Sequence, residues 1–284
     1  MRNIFFDTLF ERMAIDESLF LVTADMGLGI IEKFEKSYPD RVVNVGIAEQ
    51  NMIGVAAGLA NLGYRPVCYT ISNFLVHRCL EQIRNDICLH EYPIMLVGTS
   101  TGFDNGKLGP THQVIDDIGP IKVLPKIRIY SPGSKSGMEN VVSAAFSDNN
   151  PCYIRLGKGG INTTETELNG IVRQNESDEL IITHSTLLAD VLEKTHSDVL
   201  MFNKVHPISH NDVDIEIFKR YSFIKVVEDQ NRMSGLYNSL CQLFNKHGIW
   251  TSIEADTLDM SDGYIDVVGD GEYLKQRCLK TNSV

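Results

Sequence analysis

Nowhere in its 284 residues does the chain hold an apolar run approaching the roughly 20 residues that a membrane span needs. The opening segment, MRNIFFDTLFERM, is interrupted by Asp7 and Glu11, so it lacks the unbroken apolar core of a secretory leader. These two absences predict a soluble, cytoplasmic protein with no membrane partner. Cysteine pairs are also missing. Cys68, Cys79, Cys88, Cys152, Cys241 and Cys278 include no C-x-x-C spacing, which removes the usual zinc and thioredoxin-type signals and predicts reduced, mostly buried thiols. Basic residues are scarce: 26 Lys and Arg face 37 Asp and Glu, a net charge of −11 that argues against a nucleic-acid partner. A local basic patch could still hold a phosphate. There is no internal repeat and no low-complexity tract.

What is present is an alternation of short apolar runs with helical periods. Phe5, Phe6, Leu9, Phe10 and Met13 predict a helix within 4–16. LFLVTAD (19–25), RVVNV (41–45), RPVCYTI (65–71), YPIMLVGTS (92–100) and PCYIRLG (151–157) read as strands, with a further short one within 123–132. Helical spacing lies between them, over the small-residue segment after Gly46, over 74–88 and over SKSGMENVVSAAF (134–146). Strand–helix alternation predicts an α/β domain with a mostly parallel sheet, whose ligands sit beyond the carboxyl ends of the strands. The polar stretch KGGINTTETELNG (158–170) reads as a linker, after which ELIITH, DVLMFNKVHPI, FIKVVEDQ, LYNSLCQLFNKHG and WTSIEA restart the pattern. The expectation is two doubly wound α/β domains: 1–160, a linker over 161–174, and a smaller domain over 175–284.

Between Val42 and Gly63 a single residue, Glu49, carries a charge, in a setting of small and apolar side chains. If the helix starts near Gly46, Glu49 occupies its third position and has a structural use as a first-turn cap. The same helix places it on one stripe with Met52, Ile53 and Ala56, where desolvation would favour its protonated form and poise it for proton exchange. Spacing alone leaves both readings open. The small residues Gly54, Ala56, Ala57, Gly58 and Ala60 fit equally well with tight packing on the sheet and with close approach of a cofactor or partner.

DRVVNVGIAEQNMIGVAAGLANLGYRP (40–66), TISNF (70–74) with EQIRNDI (81–87), and LGPTHQVIDDIGPIKVLP (108–125) together resemble the pyrimidine-binding half of transketolases. KVVEDQNRMSGLYNSL (225–240) is similar to the start of that family's C-terminal domain. The resemblance covers 2–160 strongly and 175–284 more weakly. It implies thiamine diphosphate as cofactor, and Glu49 matches the glutamate that shares a proton with the aminopyrimidine ring. Phe74 matches the aromatic that stacks on that ring, with a core phenylalanine as the alternative. Ile71 and His77 stand where the family often has further aromatics, and Asp25 matches an acid in a turn near the cofactor. His112, in GPTHQ, matches a histidine near the substrate carbonyl and hydroxyls, and Gln113 is placed to orient it. Arg2 and Lys158 match two cationic phosphate contacts, although both also fit ordinary surface charges. Ser100 replaces a phosphate-binding histidine, Leu108 an acid before GPTHQ, and Gly29 a serine. These departures imply a specialised sugar or sugar-phosphate substrate.

One family motif is missing. The diphosphate and Mg²⁺ are held by a GDG…N motif, and the GDG of this chain, at 269–271, is too near the end to be followed by the asparagine. The resemblance therefore implies no metal ligand here, and a partner N-terminal transketolase subunit carrying the diphosphate/Mg²⁺ site, in an α2β2 assembly active only when complete. Alternatives are the β subunit of a 2-oxoacid dehydrogenase, a deoxyxylulose-phosphate-synthase-like enzyme, and a non-catalytic interaction subunit.

Overall fold

The computed structural model describes residues 1–165, 167–258 and 264–279. Two parts of the expected second domain, 259–263 and 280–284, lie outside the described residues. The strands are β1 Leu19–Thr23, β2 Val42–Asn44, β3 Arg65–Ile71, β4 Met95–Thr99, β5 Arg128–Tyr130, β6 Cys152–Leu156, β7 Asn169–Arg173, β8 Glu179–Thr183, β9 Asp198–Phe202, β10 Lys204–His206, β11 Phe223–Asn231 and β12 Ser252–Leu258. The helices are α1 Arg2–Met13, α2 Ile31–Ser37, α3 Glu49–Asn61, α4 Ser72–Val76, α5 Leu80–Gln82, α6 Ile118–Lys122, α7 Lys135–Ser147, α8 Leu187–Lys194, α9 Leu236–His247 and α10 Gly271–Cys278. Among the described residues no helix is long and apolar enough to cross a membrane.

The strands form two sheets, with orders β10-β5-β6-β4-β3-β1-β2 and β12-β11-β8-β9-β7. All pairs are parallel except β10 with β5 and β7 with β9. The fold is therefore α/β with mostly parallel sheets, as the alternating pattern predicts. In the first sheet successive residues face opposite layers, as strand geometry requires. Leu21, Val67, Tyr69, Val97 and Ile154 pack against the side holding α1, α2 and α7. Val22, Cys68, Leu96 and Tyr153 pack against the side holding α3 and α4. Such burial stabilises by about 1.5–3 kcal/mol for each large apolar side chain. The second layer continues without a break into the core under α9, so the two sheets share an apolar mass.

Local differences from the sequence reading have physical causes. β7 lies inside the stretch read as a linker, where its antiparallel pairing with β9, rather than a long apolar run, makes it a strand. β10 comes from the later half of the chain yet closes the edge of the first sheet beside β5. The 74–88 period resolves into α4, a turn, α5 and a wider π-helical segment, Ile83–Cys88.

Candidate functional site

The loops leaving β1, β3 and β4 converge at the carboxyl end of the first sheet, where the parallel topology places ligand sites. Asn44, at the end of β2, organises the first of them. Its Oδ1 accepts from the backbone N–H of Asp25 at 3.1 Å and of Gly46 at 3.0 Å. Asp25 takes a left-handed conformation, φ 52°, and Gly46 follows the same handedness at φ 72°, so the chain turns sharply into α3.

That helix starts at Glu49 itself, later than the Gly46 start the sequence suggested, with Ala48 as its cap residue and no side-chain capping bond. Glu49 is thus a first-turn acid whose side chain is turned to Arg78 rather than to a backbone N–H. Its side chain is 2% exposed, and Oε2 lies 2.6 Å from Nη1 of Arg78. A buried carboxylate needs such a partner, since an unpaired charge out of water is costly. Arg78 was missed in the sequence. The one available signal is its position four residues after Phe74, a spacing that brings helical side chains together. Its guanidinium sits 4.3 Å over the Phe74 ring. The other edge of Phe74 meets His112, with ring centroids 5.3 Å apart at 76°. Glu49, Arg78, Phe74 and His112 thus form one continuous row. Cys79, beside Glu49, is a buried thiol pushed up to about 12 by desolvation, with Glu49 adding to the shift.

The GPTHQ loop is held from both sides. Asn73 Nδ2 donates to Thr111 O at 2.6 Å, and the Thr111 hydroxyl lies 2.9 Å from His112 Nδ1. Gln113 is buried and donates from Nε2 to Val267 O at 3.2 Å, while its Oε1 has no hydrogen-bond partner among the described residues. His77 turns to Asp116, Nε2 to Oδ1 2.9 Å, and this hydrogen bond, against burial, holds its imidazole above the ordinary value. Asn73, His77, Thr111, Gln113, Asp116 and Tyr264 line a cavity of about 460 Å³, within the usual range for a small-molecule site. Ile71 is half-buried at the entry to α4.

Beneath the loop lies a buried ionic network. Arg155 Nε donates to Asp117 Oδ2 at 2.8 Å, and the Tyr153 hydroxyl donates to the same oxygen at 2.6 Å. Gln230, from the second sheet, donates to the other oxygen of Asp117 at 2.8 Å. Arg155 Nη1 also reaches Ser131 Oγ at 2.9 Å and Asp229 at 3.5 Å. The segment carrying His112 is therefore anchored to both halves of the chain.

The remaining sequence candidates gather elsewhere. Lys158 is exposed, its backbone N–H donating to Asp104 Oδ2 at 2.7 Å and its Nζ to Asp104 O and Asn105 Oδ1, each at 3.2 Å. It lines a separate cavity of about 360 Å³ with Thr101, Asp104, Asp190, Asp229 and Lys275. Burial there pushes the Asp104 carboxyl up to about 6. Ser100, buried at φ 63°, leads into Thr101. Arg2 is exposed at the start of α1, beside the 157–160 loop through the bond from the Met1 ammonium to Gly159 O at 3.4 Å. Leu108 is 59% exposed. The GDG at 269–271 is used structurally, with Asp270 accepting from the Tyr273 N–H at 2.9 Å to cap α10.

The guanidinium of Arg78 is a planar group that sits over Phe74 and directs an N–H to Glu49. An aminopyrimidine ring asks for the same two contacts, a flat apolar face and a carboxylate acceptor, so these residues fit one.

Comparison with known proteins gives the family. The family model described as transketolase, pyrimidine binding domain, matches residues 1–163. A subunit of the apulose-4-phosphate transketolase from Actinobacillus succinogenes is 30% identical over 259 residues, 87% of this chain and 83% of that one. The 1-deoxy-D-xylulose-5-phosphate synthase of Natranaerobius thermophilus is 27% identical over 299 residues, 99% of this chain but 47% of the synthase, so this chain spans about half of that protein. Among solved structures, a split-gene transketolase described as an inactive beta4 tetramer superposes with a TM-score of 0.82 at 24% identity, covering 99% of this chain and 94% of that one. The Campylobacter jejuni transketolase superposes with a TM-score of 0.78 at 15% identity, covering 97% of this chain and 44% of that one. At these identities the structural matches speak to the fold.

Proposed function

Because this chain belongs to the transketolase family, we propose that it is one subunit of a composite, thiamine-diphosphate-dependent transferase that moves a two-carbon ketol unit from a ketose to an aldose. The observation that carries the reading is the row Glu49–Arg78–Phe74–His112 at the carboxyl end of the parallel sheet. Thiamine diphosphate, when bound, supplies the nucleophilic carbon and the electron sink that amino-acid side chains lack. Glu49 holds a proton shared with a ring nitrogen of the pyrimidine. Its buried carboxylate is suited to that task because water does not compete for it. Phe74 offers the ring its face and Ile71 an apolar flank, with Asp25 and His77 at the margins. His112 and Gln113 are placed to hydrogen-bond the substrate's oxygens, and the unpartnered Gln113 Oε1 is an acceptor available to a hydroxyl. Arg2, Ser100 and Lys158 are the candidates for a substrate phosphate.

The diphosphate and Mg²⁺ belong to an N-terminal transketolase subunit in this reading. Its docking face is the free side of α3, where a Cβ added at Gly54 or Gly58 would meet nothing within 4 Å. Ile47 and Leu62, just before and just after α3 in the chain, are 76% and 73% exposed. An α2β2 assembly follows if the half-sites pair twofold. Leu108, Ser100 and Gly29 support a specialised sugar rather than the ordinary pentose phosphates. The absence of disulfides among Cys68, Cys79, Cys88 and Cys152, all buried free thiols, supports a cytoplasmic setting.

The test is calorimetry with thiamine diphosphate and Mg²⁺, on this chain alone and mixed with the candidate partner. Tight binding in the mixture only is expected. No binding by a complex that demonstrably forms would leave the chain as a non-catalytic interaction subunit.

A further inference from the structure

A second concavity, of about 360 Å³, is built from separated parts of the chain. Lys122 closes α6, His206 ends β10, His210 follows in the next loop, and Ser239, Lys246 and His247 come from α9. It lies at the other end of the first sheet from Glu49. β10 runs antiparallel to β5, and His206 pairs with Ile129 near the start of that strand.

Its lining is unusual for a chain with a net charge of −11: two ammonium groups and three imidazoles, with no carboxylate. Part of this has an ordinary explanation, since Lys246 and His247 sit in the last turn of α9, where cations complement the helix dipole. That does not account for Lys122, which arrives from the first half of the chain. Its Nζ reaches only neutral oxygens: Asn238 Oδ1 at 3.1 Å, Ser239 Oγ at 3.3 Å and Gly235 O at 3.5 Å. Burial lowers its pKa, and the acid that opposes this, Glu228, is committed to the N–H groups of Leu236 and Tyr237 at 2.6 and 3.0 Å. His206 senses the same field. Burial first, then Lys122, Arg128 and Lys204, lowers it to about 4, so at neutral pH it is an uncharged ring with one N–H to donate. The acid beside the His210 loop, Asp212, is already paired with Lys204 at 2.5 Å and accepts from Ser209 Oγ at 2.6 Å.

Three imidazoles also raise the possibility of a metal. Among the described residues, however, no group of His, Cys and acids has metal-holding geometry, and two ammonium groups repel a dication. A desolvated lysine with only neutral partners, sharing a cavity with a second lysine and neutral imidazole N–H donors, suits a compact anion with several acceptor oxygens.

We propose that this cavity binds a small phosphate-bearing anion, held between Lys122 and Lys246 with hydrogen bonds from the His206 and His247 rings. The site is independent of the catalytic reading above. Because Lys122 belongs to the first sheet's helices and α9 to the second's, the anion would bridge the two halves.

The experiment is a titration of the full-length chain with inorganic phosphate at constant ionic strength, balanced with sodium chloride. It is followed through histidine ring resonances assigned with single His→Gln variants. The expected result is one saturable curve shared by His206, His210 and His247, with His77, His112 and His184 unmoved. Lys246→Gln, an exposed substitution that leaves the core intact, should weaken binding about tenfold, the loss of one charge-assisted hydrogen bond. A parallel titration with glycerol 3-phosphate identifies the source: tighter binding marks a phosphorylated metabolite, equal binding free phosphate, and either retains the site. Linear, unsaturable shifts, a curve unchanged by Lys246→Gln, or movement confined to His77 and His112 would overturn the proposal.

Discussion

Arg78 Nη1 lies 2.6 Å from Glu49 Oε2 while the same guanidinium covers the Phe74 ring at 4.3 Å. One side chain thus occupies both groups that the proposed function assigns to the pyrimidine. On that proposal guanidinium and pyrimidine cannot hold them together, and Arg78 would swing aside when the cofactor binds. At 43% exposure it has solvent to swing into. Arg78→Ala is expected to lower the stability of the free chain by about 1–3 kcal/mol, because it leaves a buried carboxylate unpaired. It is also expected to tighten thiamine diphosphate binding by the partnered complex, because a competitor is gone. Denaturant melts and calorimetry measure the two effects, and weaker cofactor binding would instead mean that Arg78 touches the cofactor directly.

Glu49→Gln keeps the size of the side chain and an oxygen acceptor for Arg78, but cannot take up a proton. The complex is expected to form and to lose turnover by about 10²–10⁴-fold, the usual range for a general acid–base group. Steady-state kinetics with the partner subunit checks this. Normal turnover would remove Glu49 from the chemistry.

Asp104 provides a pH test. Burial raises its folded-state value from 3.8 to about 6, so the folded chain favours the protonated form. Stability linked to this group is fully present below the ordinary carboxyl value and is lost as pH rises through about 6. Asp104→Asn retains an acceptor for the Lys158 N–H and cannot ionise. It should leave stability near pH 4 almost unchanged and raise it by up to about 3 kcal/mol at pH 8, as the shift implies. Thermal melts across that range would show the two curves diverging as pH rises.

His77 should show a dependence through an imidazole. Its bond to Asp116 raises its folded-state value above 6.5, so its contribution is complete below 6.5 and fades as pH climbs through the raised value. His77→Gln should remove that portion of the pH dependence, and melts of the two proteins between pH 5 and 9 measure it.

Arg155 is 1% exposed and faces two buried acids, Asp117 and Asp229. Arg155→Met should cost about 3–5 kcal/mol, because both carboxylates lose their counter-charge inside the protein. Urea unfolding gives the number. Asp117→Asn with Arg155→Met should recover part of it by removing one of the stranded charges.

Some of this was visible in the residues alone. β1, β4 and β6 read as strands because both faces of a central parallel strand are buried and such a strand must be apolar along its length. Glu49 stood out as one charge among small and apolar neighbours, and the structure buries it. The transketolase-like motifs nominated Phe74 and His112, which spacing alone left open, and the fold sets their rings 5.3 Å apart. The exact start of α3 was not visible, because it depends on Asn44, a residue of another element, tying down the N–H of Gly46.

The sequence by itself determined most of the elements and the family, because periodicity, turn residues and motif order act over neighbouring positions, whereas β7 became a strand only through its pairing with β9. Tertiary structure decided which distant residues meet. Arg78 answers Glu49 from 29 positions away, β10 crosses from the later half of the chain to close the first sheet, and Arg155 joins Asp117 to Asp229 beneath the loop that carries His112. A buried charge states that it needs a partner, but packing and strand register settle which side chain is brought within reach.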